Sequence, residues 1–152
     1  MPEHVSVTTE IAAPPEKVYA MVADLTRMGE WSPENTGATW LGGATGAAPG
    51  VRFKAKNAAG KKEWSTAGTI VKAVPGRVLS FRVTAVGSKV ALWTYRFETT
   101  DAGCTVTETW DDERNAFVKF MGKPVSGVAD RATHNRAGME ETLRNLKAAA
   151  EA

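Results

Sequence analysis

Residues 91–112 read ALWTYRFETTDAGCTVTETWDD, two alternating runs on either side of the turn sequence DAG at 101–103. Successive side chains of a strand face opposite sides, so period-two patterning assigns each residue to a face. The first run, 89–100, places Trp93, Tyr95 and Phe97 on one face and Thr94, Arg96 and Glu98 on the other. The second, 104–111, groups Val106, Glu108 and Trp110 against Thr105, Thr107 and Thr109. Two half-buried runs joined by a short glycine-containing turn predict an antiparallel hairpin. One residue breaks the pattern. Glu108 sets a carboxylate between a valine and a tryptophan, on the face that should be dry.

The same pattern continues upstream. Run 77–86 sets Leu79, Phe81 and Val83 against Ser80, Arg82 and Thr84, and GSK at 87–89 links it to the next strand. Run 51–57 sets Val51, Phe53 and Ala55 against Arg52, Lys54 and Lys56, and pairs across NAAGK with 62–74. In 62–74 the inner set is Trp64, Thr66, Gly68 and Ile70, although Val71 argues for the other face. A short alternating run at 36–41 precedes the glycine-rich loop GGATGAAPG, and residues 4–11 alternate at the start of the chain. Strands in series with tight turns predict an antiparallel meander.

Three segments switch to helical spacing. After Pro14-Pro15, Val18, Val22 and Leu25 predict a short helix over 16–24, and 26–31 a further turn stopped near Gly29 and by Pro33. Proline is tolerated in a first helical turn. Phe117, Phe120 and Met121 in NAFVKFMGKP predict an apolar turn of helix. Val128, Ala132, Asn135, Met139, Thr142, Leu143 and Leu146 share one arc of a wheel, which predicts a long helix over 128–150. The expected class is α+β. An antiparallel sheet of about seven strands is expected to grip the C-terminal helix, with two short helices after the first strand. No linker or repeat divides residues 1–152, so one domain is expected.

Composition removes several functions. With 19 basic and 17 acidic residues, the chain has no charge excess to hold nucleic acid. The cluster Arg52, Lys54, Lys56, Lys61 and Lys62 reads as the wet face of a hairpin. A single cysteine, Cys104, precludes an internal disulfide and fits a reducing compartment. No apolar run approaches a membrane span, and Met-Pro-Glu-His lacks a signal peptide's basic start, so the cytoplasm is the expected location. With two histidines, His4 and His134, a metal site is not expected. His134 lies about 140° from Met139 on the wheel and is expected to be exposed, and Arg131, about 80° away, sits at the edge of the inner arc. No phosphate-binding or dinucleotide fingerprint and no serine–histidine–aspartate set is present.

Four stretches carry a family resemblance: RMGEWSPENTGATWLGGATG at 27–46, GVRFKAKN at 50–57, ALWTYRFETTDAGCTVTETWDD at 91–112 and MEETLRNLK at 139–147. With the order of elements, they resemble the START-like, or SRPBCC, superfamily, which includes birch-pollen allergens and aromatic polyketide cyclases. They also look like the small actinobacterial proteins usually labelled polyketide cyclase/dehydrase. The resemblance implies the helix-grip fold, a deep apolar cavity between sheet and long helix, and a small hydrophobic ligand. No cofactor is implied.

The inward aromatics alone are equally the ingredients of a filled core. The small and polar residues Ala132, Asn135 and Thr142 on the inner face of the helix suit a pocket with a few polar groups. The expected ligand contacts are Trp64, Phe81, Trp93, Tyr95, Glu108 and Asn135. The expected mouth residues are Met28, Trp31, Phe117, Phe120 and Met121, acting as ordinary core docking or as a mobile lid. Glu108 has three readings: turned outward by a bulge, buried in a structural pair, or lining the cavity. Burial would raise its pKa. That would let it serve as general base for the enolisation that begins an aldol cyclisation, with Tyr95 as proton donor. The chain is therefore expected to bind a small hydrophobic or aromatic molecule, a lipid or polyketide-like metabolite. The alternatives are a polyketide cyclase or dehydratase, or a protein-interaction module with an apolar mouth.

Overall fold

The computed structural model describes residues 3–152. Strand β1 (His4–Ile11) is followed by helix α1 (Pro15–Ala23) and a 3-10 helix (Leu25–Glu30). Strands β2 (Asn35–Trp40), β3 (Arg52–Ala59), β4 (Lys62–Val74), β5 (Val78–Ala85), β6 (Ser88–Thr100) and β7 (Gly103–Asp112) come next. Helices α2 (Ala116–Ser126) and α3 (Arg131–Glu151) complete the chain. The seven strands form one antiparallel sheet in the order β1-β7-β6-β5-β4-β3-β2. Only the β1–β7 pair is distant in sequence. The two helices between β1 and β2 carry the chain from one sheet edge to the other.

Local chemistry explains these elements. Pro15 opens α1, where a missing N–H costs nothing, and the Pro14 carbonyl accepts from the N–H groups of Lys17 and Val18. Val18, Tyr19, Met21 and Val22 are the buried side of that helix. The Asp24 carboxylate accepts from the Thr26 N–H and caps the 3-10 helix. Asp130 does the same for α3 by accepting from the Thr133 N–H at 3.2 Å.

Bulges account for two departures from the sequence pattern. In β4, Ile70 faces Phe81 while Lys72 faces Ser80, so Val71 is the extra residue. The bulge reverses the alternation and lets Ile70 and then Ala73 reach the inner side, which removes the conflict over Val71. In β5–β6, Val83 faces Ala91 and Thr84 faces Lys89. The turn is consequently Val86–Gly87, ahead of the expected GSK, and both residues have positive φ, 53° and 75°. Two such residues in succession make the left-handed turn that suits a twisted hairpin.

The core lies between the sheet and α1, the 3-10 helix and the C-terminal half of α3. Leu143, Leu146 and Ala150 of α3 are buried against Ile11, Val18, Val22 and Val106. Phe53 packs edge-on to both Trp40 and Phe81, with centroids 6.4 and 5.7 Å away. Its ring crosses Gly68 so closely that a Cβ there would stand 2.3 Å from Phe53 Cζ. A second cluster joins Val5, Ala91, Trp110 and Met139. No helix among the described residues is long and apolar enough to cross a membrane.

Candidate functional site

The inner face of α3 changes character along its length. Its C-terminal half carries the leucines that fill the core. Its N-terminal half carries Asn135, Gly138, Met139 and Thr142, which line a cavity of about 710 Å³. The opposite wall is the sheet, with Phe53, Trp64, Phe81, Trp93 and Tyr95. Cross-strand register sets Phe81 beside Trp93, and Trp93 beside Trp110, which gives a continuous aromatic surface.

Glu108 belongs to this wall. It is buried and stands directly across from Tyr95. The Tyr95 hydroxyl donates to Glu108 Oε2 at 2.8 Å. Glu108 Oε1, equally buried, has no hydrogen-bond partner among the described residues. No bulge interrupts β7 at this point, so the carboxyl faces inward as the alternation requires. Burial raises the Glu108 pKa to about 8, and the Tyr95 hydrogen bond only partly offsets this. Burial likewise lifts Tyr95 well above its ordinary value, helped by the neighbouring Glu108. At neutral pH the pair is therefore an uncharged acid and an uncharged phenol.

A polar cluster borders the same cavity. Arg131 Nη1 donates to Glu34 Oε1 at 2.7 Å, and more weakly to Asn135 Oδ1 at 3.4 Å. His134 Nε2 lies 3.1 Å from the same Glu34 oxygen. The Arg131 guanidinium also sits over the Trp64 ring, 5.9 Å from its centroid. Arg114 borders the cavity too, bound to the buried Asp112 through Nε at 2.8 Å and Nη2 at 3.0 Å. Burial acts to raise Asp112, but the Arg114 bonds outweigh it and hold the carboxyl below its ordinary range.

The six expected ligand contacts, Trp64, Phe81, Trp93, Tyr95, Glu108 and Asn135, all line this cavity, as do Met28, Phe117 and Met121 of the expected mouth. Two mouth residues lie elsewhere. Trp31 is buried in the core beneath Arg27, whose guanidinium is 5.0 Å from its ring. The tight 3-10 turn directs this indole inward, a detail that apolar character alone does not convey. Phe120 is 76% exposed and does not line the cavity, because three-turn helix α2 replaces the single apolar turn expected and presents it to the outside.

Two further corrections concern charge. His134 is half-buried, since Glu34 reaches across to it from the segment before β2. Arg131, expected at the edge of the inner arc, and Arg114, not singled out by the sequence, both bring guanidinium groups to the cavity. The spacing of Arg131, His134 and Asn135 marks one helix face, but nothing in the sequence shows that Glu34 meets it. The mouth is framed by α2 and by the β3–β4 and β5–β6 turns, through Phe117, Met121, Val125, Gly60 and Val86. Among the described residues no group of histidine, cysteine, aspartate and glutamate could hold a metal ion.

The model of the family described as polyketide cyclase / dehydrase and lipid transport matches residues 2–151. The chain belongs to that family. The Polyketide_cyc-like protein Cgl2372 of Corynebacterium glutamicum is 28% identical, with 97% of this chain and 90% of that one aligned at a TM-score of 0.66. Protein CV1439 of Chromobacterium violaceum is 17% identical over 98% of each chain, with a TM-score of 0.74. The di-domain ARO/CYC StfQ of the steffimycin biosynthetic pathway is 14% identical, aligned over 99% of this chain and 52% of its own, with a TM-score of 0.76. No curated protein matches the sequence significantly. At such identities the latter two likenesses establish the fold, and function has to be argued from the site.

Proposed function

We propose that this family member binds one small, largely apolar or aromatic molecule between the sheet and the N-terminal half of α3. The observation that carries the reading is the cavity of about 710 Å³. It has the size and the mix of apolar walls and few polar groups typical of small-molecule sites. Trp64, Phe81 and Trp93 supply flat walls, Asn135 and the Glu108–Tyr95 pair supply polar contacts, the buried Met28 adds to the wall, and Phe117 and Met121 border the opening.

The family description and the uncharged Glu108–Tyr95 pair favour a second reading, a cyclase or dehydratase acting on a polyketide-like substrate. In that reading Glu108 enters as a proton donor near pH 7 and becomes a base only above about 8. The buried Tyr95 holds its proton too firmly to lead as the acid.

Native mass spectrometry of the purified chain, with solvent extraction of anything retained, tests the reading. A bound molecule, or saturable one-to-one binding of an apolar naphthalene probe that Gly138→Leu abolishes, is expected. A chain that carries nothing and takes up no such probe has a closed core in solution, and the reading fails.

A further inference from the structure

The Glu108–Tyr95 pair has one more hydrogen than it can use. A neutral carboxyl and a phenol together hold two O–H groups, and the single contact between them consumes one. If Tyr95 donates, Glu108 keeps an outward O–H on Oε1. If Glu108 donates, Tyr95 keeps one. Either way a buried donor is left over, and with Tyr95 donating to Oε2, as in the structure, it sits on the unpartnered Glu108 Oε1. Buried polar groups in native proteins are almost always satisfied, so an orphan that lines a cavity indicates what the occupant must supply.

We propose that this wall of the cavity selects an uncharged aryl ketone, enone or quinone, whose carbonyl oxygen accepts the spare hydrogen of the Glu108–Tyr95 pair. The inference rests on the ligand-binding reading above. The flat surfaces of Trp93 and Phe81 flank the pair, because Trp93 lies two residues before Tyr95 on the same strand face and Phe81 opposes it. They suit the conjugated ring to which such a carbonyl is attached. A phenol or an amine would also bring a hydrogen of its own to be placed, which a carbonyl does not. A carboxylate would bring a charge that no free cation among the described lining residues meets. Arg131 and His134 are engaged by Glu34, and Arg114 by Asp112. Among the described residues the other charged group on the lining, Glu141 of α3, is itself anionic. None of these groups contributes to the Glu108 displacement, whose causes are burial and the Tyr95 bond.

The experiment compares two probes of nearly equal shape, 2-acetylnaphthalene and 2-ethylnaphthalene, by calorimetric titration of the full chain, with the ketone's carbonyl stretch read in the bound state. At about pH 6 the ketone should bind roughly tenfold or more tightly than the hydrocarbon, as expected of a site built around one hydrogen bond. Its stretch should move to lower frequency than in an apolar solvent. The preference should fall as the pH passes about 8, where Glu108 loses its proton and the pair is left with acceptors only. Glu108→Gln should keep the preference without this pH dependence, since a carboxamide also donates. Glu108→Leu should bind both probes alike. Equal wild-type affinities with an unshifted stretch, a preference that grows with pH, or one that survives Glu108→Leu would overturn the proposal while leaving the cavity reading intact. If neither probe binds, the cavity reading itself falls. The wild-type and Glu108→Gln measurements decide the matter even if Glu108→Leu does not fold.

Discussion

Replacing Glu108 by glutamine removes one ionisation from the interior and barely changes shape, so the two proteins should respond differently to pH. In the unfolded chain the carboxyl titrates near its ordinary 4.5, whereas burial keeps it protonated up to about 8 in the fold. The folded chain holds that proton more tightly. The stability this confers is complete below 4.5 and is lost as the pH climbs towards 8. At about 1.4 kcal/mol per pH unit, the loss from this group reaches about 3 kcal/mol near neutral pH and about 5 kcal/mol once it is ionised in both states. These are ceilings, because water that follows the charge into the cavity reduces them. Urea unfolding of both proteins at a series of pH values measures the effect. The stability of Glu108→Gln minus that of the wild type should be level in acid, rise by roughly 1 kcal/mol per unit through the window, and level off again in base. A difference that stays flat from about pH 5 to 8 would refute the reasoning, since the carboxyl would then be ionised throughout and therefore solvated or paired.

Asp112 should show the opposite sign. Its folded pKa lies below the ordinary 3.8, so its contribution is present above that value and lost as the pH falls beneath it. Asp112→Asn should flatten the acid limb of the stability curve and cost roughly 1–3 kcal/mol at neutral pH, measured by urea unfolding, because Arg114 loses its charged partner. Gly68→Ala should destabilise by about 1–3 kcal/mol, since the new methyl collides with the Phe53 ring and the Arg82 carbonyl oxygen. An unchanged midpoint would show that the ring has room to move. Val86→Asn should stabilise by roughly 1 kcal/mol, because Val86 is a fully exposed β-branched residue at φ 53°. A lower melting temperature would mean that the valine makes a contact worth more than the strain. Gly138→Leu should fill the cavity and block apolar probes while the protein remains folded, since a Cβ at Gly138 meets only Pro33 Cγ, at 3.6 Å.

Much of the architecture was legible in short windows of sequence because strand and helix periods are local. Alternation in 91–112 assigned Trp93, Tyr95, Phe97, Val106, Glu108 and Trp110 to one face, and the structure places them on the inner side of adjacent strands. The helical arc from Asn135 to Leu146 likewise marked the side of α3 that faces the sheet. Period reports direction only, and says nothing about what lies opposite. Whether Asn135 and Thr142 would meet a packed core or open space depended on how far α3 stands off the sheet, which its leucines fix only at the other end. Glu34, just ahead of β2, reaches Arg131 and His134 across about a hundred residues of chain, a contact invisible to any window. The same holds for Trp31, which the 3-10 turn sends into the core, and for Val71, whose bulge appears only once β4 is paired with β5. Sequence alone put a carboxylate on the apolar side of the strand alternation at position 108. Tertiary structure decided its environment, by burying it beside a cavity, setting Tyr95 against one oxygen, leaving the other without a partner, and placing no cation among the described residues where it would hold the charge.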